Sequence, residues 1–274
     1  MRMPLSTLLK DLMATIQGAN FCLTDDVVEQ IIGIHDLMTS EGLGELSGEH
    51  ALCNAKKGAE HDPIEYYRIV DSKGNDTAKR LREKPSLDCW LKGADDTLLV
   101  AHWLTHLLGL RHRSVHLFLG SSRSAEITYL QLRSFGLHGH GGKLDIPVGG
   151  HVSECEDITI TLSRELKEEL GLSLQRHLRG GSCKYIGDYE YLEIDKGGKY
   201  REIELRSVFS GTLLSSGEQA IRMRKGEVGG IMLIFKNELQ RLLHAYPTLV
   251  AGGLSGSARF LFQNLGSELH ETVL

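Results

Sequence analysis

Residues Gly150 to Leu172 read GHVSECEDITITLSRELKEELGL. On a helix turning about 100° per residue, Glu165, Glu168 and Glu169 stand at i, i+3 and i+4 and share one sector roughly 100° wide. Like charges at that spacing weaken an isolated helix, so three carboxylates on one face make sense where a cation neutralises them. Mg²⁺, a hard ion that takes oxygen ligands, is the natural candidate. Ile158, Leu162, Leu166 and Leu170 step by four and give the helix an apolar stripe, which predicts that it packs against a sheet and turns its acidic face into a cleft. Arg164 and Glu156 are expected to orient this face through charge-assisted hydrogen bonds. Gly171 suits the C′ position that ends the helix, and Gly149 and Gly150 predict permissive turns where a main-chain carbonyl approaches a metal.

The same stretch fits G-x5-E-x7-R-E-U-x-E-E-x-G-U, with U apolar, at every fixed position. Seven specified residue types coincide by chance on the order of once in 10⁷ to 10⁹ windows, which excludes accident as the explanation. The segment resembles the box of the Nudix hydrolases. The resemblance implies an α/β/α sandwich with a mixed sheet, in which the box forms a loop-helix-loop. It also implies Mg²⁺ or Mn²⁺ held by Glu165, Glu168 and Glu169 with the Gly150 carbonyl, and cleavage of a nucleoside diphosphate linked to another group.

Outward from the box, Leu110 to Val115 (LRHRSV), Leu144 to His151 (LDIPVGGH) and Glu202 to Glu204 (EIE) are similar to the branch containing isopentenyl diphosphate isomerase and its hydrolase relatives. This similarity spans roughly residues 65 to 240. It implies a second metal site from His112, His151, Glu202 and Glu204. Residues i and i+2 of a strand project from one face, so Glu202 and Glu204 are expected to point together. A solvated E-x-E edge and ordinary hydrogen-bonded histidines are the other reading. The isomerases place a proton-transferring cysteine immediately before the glycine-histidine pair, where this chain has Gly149, and Cys155 lies six residues further on. Diphosphate hydrolysis is therefore favoured over isomerisation. A non-hydrolytic Nudix-like nucleotide-binding regulator is the alternative from another class. For the general base the candidates are Glu168 and Glu204, with Arg164 as the positioning cation.

Other motifs are less specific. His102 and His106 have the i, i+4 spacing of metal ligands, but no glutamate follows His102, so a helix surface or core is expected. Gly136 to Gly142 (GLHGHGG) lacks a G-K-[ST] ending and reads as a flap or a plain loop. Arg222, Arg224 and Lys225 form a small basic cluster, either a phosphate contact or a solvated loop.

The flanks set the organisation. Leu5, Leu8, Leu9, Leu12, Met13 and Ile16 form one helical stripe, and Val27, Val28, Ile31, Ile34, His35 and Met38 form a second, with Asp26 and Glu29 as a capping box. They predict a helical extension over residues 1–58, either docked as extra core or serving as a lid or a homodimer contact. The Gly- and Glu-rich stretch from Glu41 to Lys57 is expected to separate it from a second domain over 59–274, which the resemblance implies is a Nudix hydrolase domain. Strands are expected at Tyr66–Val70, Leu98–Ala101, Val115–Leu119, Thr128–Leu132, Ile203–Leu213 and Gly230–Phe235, a turn at Asp71–Asn75, and a helix at Lys236–Leu243.

The 274 residues are 41% hydrophobic and 24% charged, enough for one full-sized core and a small accessory one. A net charge of -5 offers no basic field for nucleic acid. No apolar run reaches the roughly 20 residues that span a bilayer, and Lys10 and Asp11 break any signal-like core, so a cytoplasmic protein without a membrane partner is expected. Five dispersed cysteines without a C-x-x-C pair argue against a disulfide framework or a zinc knuckle. The expected partner is a small-molecule organic diphosphate.

Overall fold

The computed structural model describes residues 5–40, 65–77, 90–94, 97–137, 140–154, 156–194 and 200–271. The chain forms two compact units: Met1–Arg113 with Ser153–Cys155 and Leu192–Leu205, and Ser114–Val152 with Glu156–Tyr191 and Arg206–Leu274. No helix among the described residues is long and apolar enough to cross a membrane.

The first unit contains α1 (Leu5–Gly18), α2 (Asp25–Ser40), β1 (Tyr66–Arg68), β2 (Leu91–Ala94), β3 (Thr97–Ala101) and α3 (His102–Leu108). Its strands pair antiparallel in the order β1-β3-β2. Leu12, Ile16, Val27, Ile31 and Ile34 of the two helices share one core with Ile69, Trp90, Val100, Leu104 and Leu108. Leu12 and Ile16 of the α1 stripe are thus buried within this unit. Residues 66–113 belong to the same unit as the two helices. The expected boundary at 58 itself lies outside the described residues. The physical reason for the grouping is that two short helices cannot enclose their own apolar faces, and the small sheet supplies the missing wall.

Two local expectations need correction. The cap of α2 is Thr24, whose Oγ1 accepts from Val27 N at 3.4 Å, and Asp26 already lies inside the helix. The β1 strand ends at Arg68, with Val70 making an isolated bridge to Asp76. The turn stands as expected: the Asp71 carboxylate accepts from Lys73 N at 2.8 Å and Asn75 N at 2.9 Å.

The larger sheet is built from β4 (His112–Gly120), β5 (Ile127–Arg133), β6 (Leu144–Asp145), β7 (Val148–His151), β8 (Lys184–Ile194), β9 (Arg201–Thr212) and β10 (Val228–Phe235). Its order is β10-β5-β4-β9-β8, with β6 on β5 and β7 on β4. Strands β4 and β5 are antiparallel. Along β4 and β9, His112 meets Glu204 near one end while Gly120 O accepts from Leu213 N at the other, so these two run parallel and the sheet is mixed.

Helices α4 (Ile158–Leu170), α5 (Leu174–His177), α6 (Ser215–Ala220), α7 (Lys236–Ala245) and α8 (Gly252–Glu271) complete the elements described. Alternation along the strands sorts them into layers. Val115, Leu117 and Leu119 of β4 join Leu162, Leu166 and Leu170 of α4 in one core. Phe118 of the same strand joins Leu239 and Leu243 of α7 and Leu254 and Leu261 of α8 in another. The second unit is thus a sheet with helices on both faces, the α/β/α sandwich the motif predicts. Helix α8 was not anticipated, since Gly252, Gly253 and Gly256 lower helix propensity. The reason for Gly256 is close packing, as a Cβ there would stand 2.8 Å from the Tyr189 hydroxyl.

Candidate metal centre

Helix α4 is fixed at both ends by its own sequence. The Asp157 carboxylate caps it, accepting from Thr159 N at 2.8 Å and Ile160 N at 2.9 Å, and Gly171 closes it at φ 69°. With its register set, Leu162, Leu166 and Leu170 are buried on the sheet. The glutamates occupy the neighbouring face, where Glu169 is buried and the Glu165 and Glu168 side chains are 12% and 39% exposed.

Arg164 organises this face. Its Nε and Nη2 donate to the two Glu156 carboxylate oxygens at 2.7 and 3.0 Å, a bidentate pair. Its Nη1 reaches Glu165 Oε1 at 2.7 Å and Glu168 Oε2 at 3.3 Å, and its Nη2 also donates to the His151 carbonyl at 3.2 Å. Glu156 accepts further from the Thr161 hydroxyl at 2.8 Å. Burial would lower the Arg164 pKa, but the hydrogen bond to Glu156 and the charges of Glu165 and Glu156 raise it, so the guanidinium stays charged.

The acids behave oppositely. Burial pushes Glu165 up to about 7 against the pull of Arg164, with the Glu168 charge adding to the rise. Glu169 is raised well above the carboxylate range, by burial first and then by the Glu165 charge, and the Asp145 charge adds to this. Its Oε2 accepts from Gly149 N at 3.1 Å and its Oε1 from Gln131 Nε2 at 3.5 Å.

These residues fit a hard divalent cation. The donors are carboxylate oxygens, two of them deprived of solvent, and Gln131 Oε1 is buried beside them without a hydrogen-bond partner among the described residues. Gly150 lets the Glu165 carboxylate lie close over β7, since a Cβ on it would displace that carboxylate. Gly149 and Gly150 are not turns, as both lie in β7 paired with His116 and Val115 of β4. What glycine supplies at position 150 is close approach rather than an unusual backbone angle. Gln131 and Asp145 escaped sequence reasoning. Gln131 lies among the apolar residues Leu130 and Leu132 of β5 and pairs across strands with Asp145, a meeting that no local pattern displays.

The other site expectations divide between the units. His112 and Glu204 lie in the first, both buried, with His112 Nε2 3.7 Å from Glu204 Oε1 and His112 Nδ1 3.0 Å from the Leu110 carbonyl. Glu202 is less buried than Glu204. His151 lies in the second unit, on β7 opposite Ser114. His106 is buried as a core histidine, stacked on Tyr200 at 4.5 Å between ring centres, with His102 edge-on to it at 4.6 Å. Of the basic cluster, Arg224 reaches Glu168 Oε2 at 3.4 Å, whereas Arg222 donates to the main-chain carbonyls of Gln219 and Ile221. The glycine-rich loop 136–142 is described only in part.

No family model matches this chain. It is similar to Nudix hydrolase 3 of Arabidopsis thaliana, 27% identical over 159 residues that cover 57% of this chain and 20% of the relative. The match thus spans about one fifth of the relative's length. Among solved structures it resembles the Deinococcus radiodurans protein DR0079, with a TM-score of 0.47 and 17% identity over 71% of this chain and 98% of that one. It also resembles the NUDIX domain of Shewanella oneidensis NrtR complexed with ADP ribose, with a TM-score of 0.40 and 15% identity over 56% of this chain and 86% of that one. A C. elegans Ap4A hydrolase gives a TM-score of 0.39 and 13% identity over 57% of this chain and 98% of that one.

Proposed function

We propose that this chain is a Nudix-type hydrolase that cleaves the diphosphate linkage of a nucleoside diphosphate derivative or a related organic diphosphate. The observation that carries the reading is the convergence of Glu156, Glu165 and Glu168 on Arg164, beside a buried Glu169. Glu165, Glu168, Glu169 and the Gly150 carbonyl would hold Mg²⁺ or Mn²⁺. The ion, when bound, supplies neutralisation of phosphate charge and polarisation of the phosphorus centre.

The chain's own residues do the remainder. Arg164 holds Glu165 and Glu168 apart and oriented, and the Gly149 amide fixes the Glu169 carboxylate. Glu168, the most exposed of the three, is placed to accept a proton from the attacking water as the phosphorus-oxygen bond breaks and the leaving phosphate departs with its electron pair. Glu204 is the second candidate base, and its contact with His112 supports that pair as two of the ligands of a second metal site with Glu202.

Hydrolysis is favoured over isomerisation at position 149. Glycine carries no proton-transferring group, and a Cβ there would meet Ile146 Cδ1 at 2.5 Å and Val115 O at 3.3 Å, so a cysteine would fit only if these neighbours shifted.

The test is phosphate or nucleotide release from a panel of nucleoside diphosphate derivatives and prenyl diphosphates with Mg²⁺, run beside Glu169→Gln and Glu168→Gln. Release by the native chain that falls by about 10³-fold or more in both variants, with melting unchanged, is the expected result. No release across the panel despite nucleotide binding by calorimetry would replace the reading with that of a binding module.

A further inference from the structure

Arg224 stands at the edge of the carboxylate face without belonging to the box. Its main chain is fixed to the box helix and to strand β10. Arg224 N donates to the Glu169 carbonyl at 3.0 Å, Arg222 N to the Leu170 carbonyl at 2.8 Å, and the Arg224 carbonyl accepts from Val228 N at 3.1 Å across a turn with Gly226 at φ 89°. A fixed backbone thus carries a long side chain that is 45% exposed. Its Nη1 lies 3.4 Å from Glu168 Oε2 and 3.2 Å from Glu227 Oε2.

Glu168 Oε2 is therefore shared by two guanidinium groups, from Arg164 at 3.3 Å and Arg224 at 3.4 Å. The two arginines differ in what else they hold. Arg164 makes a bidentate pair with Glu156 and a second strong bond to Glu165. Among the described residues Arg224 has single, longer contacts with half-exposed carboxylates, the kind of pair that contributes about 0–1 kcal/mol. Arg224 is accordingly the cation that can be exchanged.

Resting on the hydrolase reading, we propose that Arg224 is the substrate-phosphate contact of this site. With Glu168 engaged as a metal ligand, Arg224 loses that counter-charge, and its guanidinium is released from a stem already anchored on α4. It then offers paired N–H donors to the phosphate oxygens of an incoming diphosphate, the geometry for which arginine is suited and lysine is not. Arg164, held by Glu156 and Glu165, stays in place. Arg224 thus serves as a stand-in counter-ion before binding and as an anion receptor afterwards.

Three variants test this: Arg224→Ala, Arg224→Lys and, as a control, Arg222→Ala, whose side chain hydrogen-bonds only to main-chain carbonyls among the contacts described. Turnover is measured on the panel member cleaved fastest, and binding of Mg²⁺ and of Mg²⁺-imidodiphosphate is followed by calorimetry. Expected are a KM about tenfold or more above native in Arg224→Ala with kcat within about twofold, partial recovery in Arg224→Lys, and no change in Arg222→Ala. Imidodiphosphate binding weakens in parallel, while Mg²⁺ alone binds no more weakly than to the native chain because a competing cation has gone. Unchanged KM and unchanged imidodiphosphate binding in Arg224→Ala overturn the proposal even if the native chain is an active hydrolase. If the native chain releases nothing, the hydrolase reading fails, and the calorimetry alone decides: weakened imidodiphosphate binding in Arg224→Ala upholds the anion contact, and equal binding removes it.

Discussion

The box helix of the second unit and the histidine-tyrosine cluster of the first both bury ionisable groups, and they do so in opposite ways. On α4 the groups are like-charged, three glutamates within five residues, and Arg164 and Arg224 only partly offset them. In the first unit, Tyr67, His102, His106, His112 and Tyr200 pack ring against ring, with Tyr67 stacked on His112 at 5.2 Å and His106 edge-on to His112 at 4.9 Å. Main-chain carbonyls take up the polar edges there, Arg201 O at 3.2 Å from His106 Nδ1 and Leu110 O at 3.0 Å from His112 Nδ1. The first arrangement holds unresolved negative charge and calls for a cation. The second is a close-packed aromatic core in which the one adjoining buried carboxylate, Glu204, faces His112 at 3.7 Å. Burial of titratable groups alone thus does not mark a site; the sign and balance of the buried charge do.

The largest effect that would break this contrast is the removal of Arg164. Arg164→Ala leaves Glu156 and Glu165 at a half-buried position without their cation, and the loss of one partner from such a network costs about 2–4 kcal/mol. Urea unfolding of the metal-free variant should show that loss, and Mg²⁺ should recover part of it by taking over the neutralisation. Arg164→Lys should recover little, because a point charge cannot serve both Glu156 oxygens and Glu165 at once. A variant as stable as the native chain, with native metal affinity, would show that the face needs no organising cation.

The two regions also differ in how far the sequence displays them. The box is legible because its chemistry is local: i, i+3 and i+4 on one helix, a cap at Asp157, a stop at Gly171. Helix α1 was equally legible as a helix, but its partner was not, since the surface covering Leu12 and Ile16 comes from segments as distant as Trp90 and Leu108. The histidine cluster is assembled from α3, β4 and the segment around Tyr200, nearly a hundred residues apart, and no periodicity encodes that meeting. Gln131 and Asp145 meet through the pairing of β5 with β6. Strand β8 was missed for a different reason. Its residues are exposed or half-buried throughout, so its apolar and polar positions lack the contrast that burial imposes on a strand.

A smaller effect sharpens the comparison through pH. Burial raises Glu165 to about 7, and Glu169 moves in the same direction. A carboxyl whose pKa is higher folded than unfolded binds its proton more tightly in the native state, so its contribution is complete below the unfolded value near 4.3 and is lost as pH rises through about 7. The metal-stripped protein should therefore lose stability between about pH 4.5 and 7, by an amount on the order of 1–3 kcal/mol, and Glu165→Gln should flatten that slope. Glu218, lowered by its bonds to Ser121 and Ser122 against the opposing effect of burial, acts in a separate window, since its contribution disappears only as pH falls below the ordinary carboxylate range. Mg²⁺ should raise the melting temperature more at pH 8 than at pH 5.5, because its ligands must first lose their protons. A metal-free stability that rises across this interval would contradict the charge imbalance assigned to α4.

The smallest effect lies in the first unit and tests the other half of the contrast. In His106→Leu the ring stacked on Tyr200 is replaced by an apolar side chain of similar bulk, and the Arg201 carbonyl loses the partner it has at 3.2 Å. Filling the volume limits the cost of packing, so the orphaned carbonyl dominates and the loss should be about 1–2 kcal/mol. Hydrogen exchange of the β3 and α3 amides should report it as faster local opening. Because His106 is stacked in the ring core and lies outside the residues assigned to the metal, the variant should keep its kcat, its KM and the melting shift that Mg²⁺ produces. A fall in turnover of about a hundredfold, with the fold intact, would mean that the histidines are more than packing. The histidine cluster would then have to be counted with the acidic one as part of the chemistry.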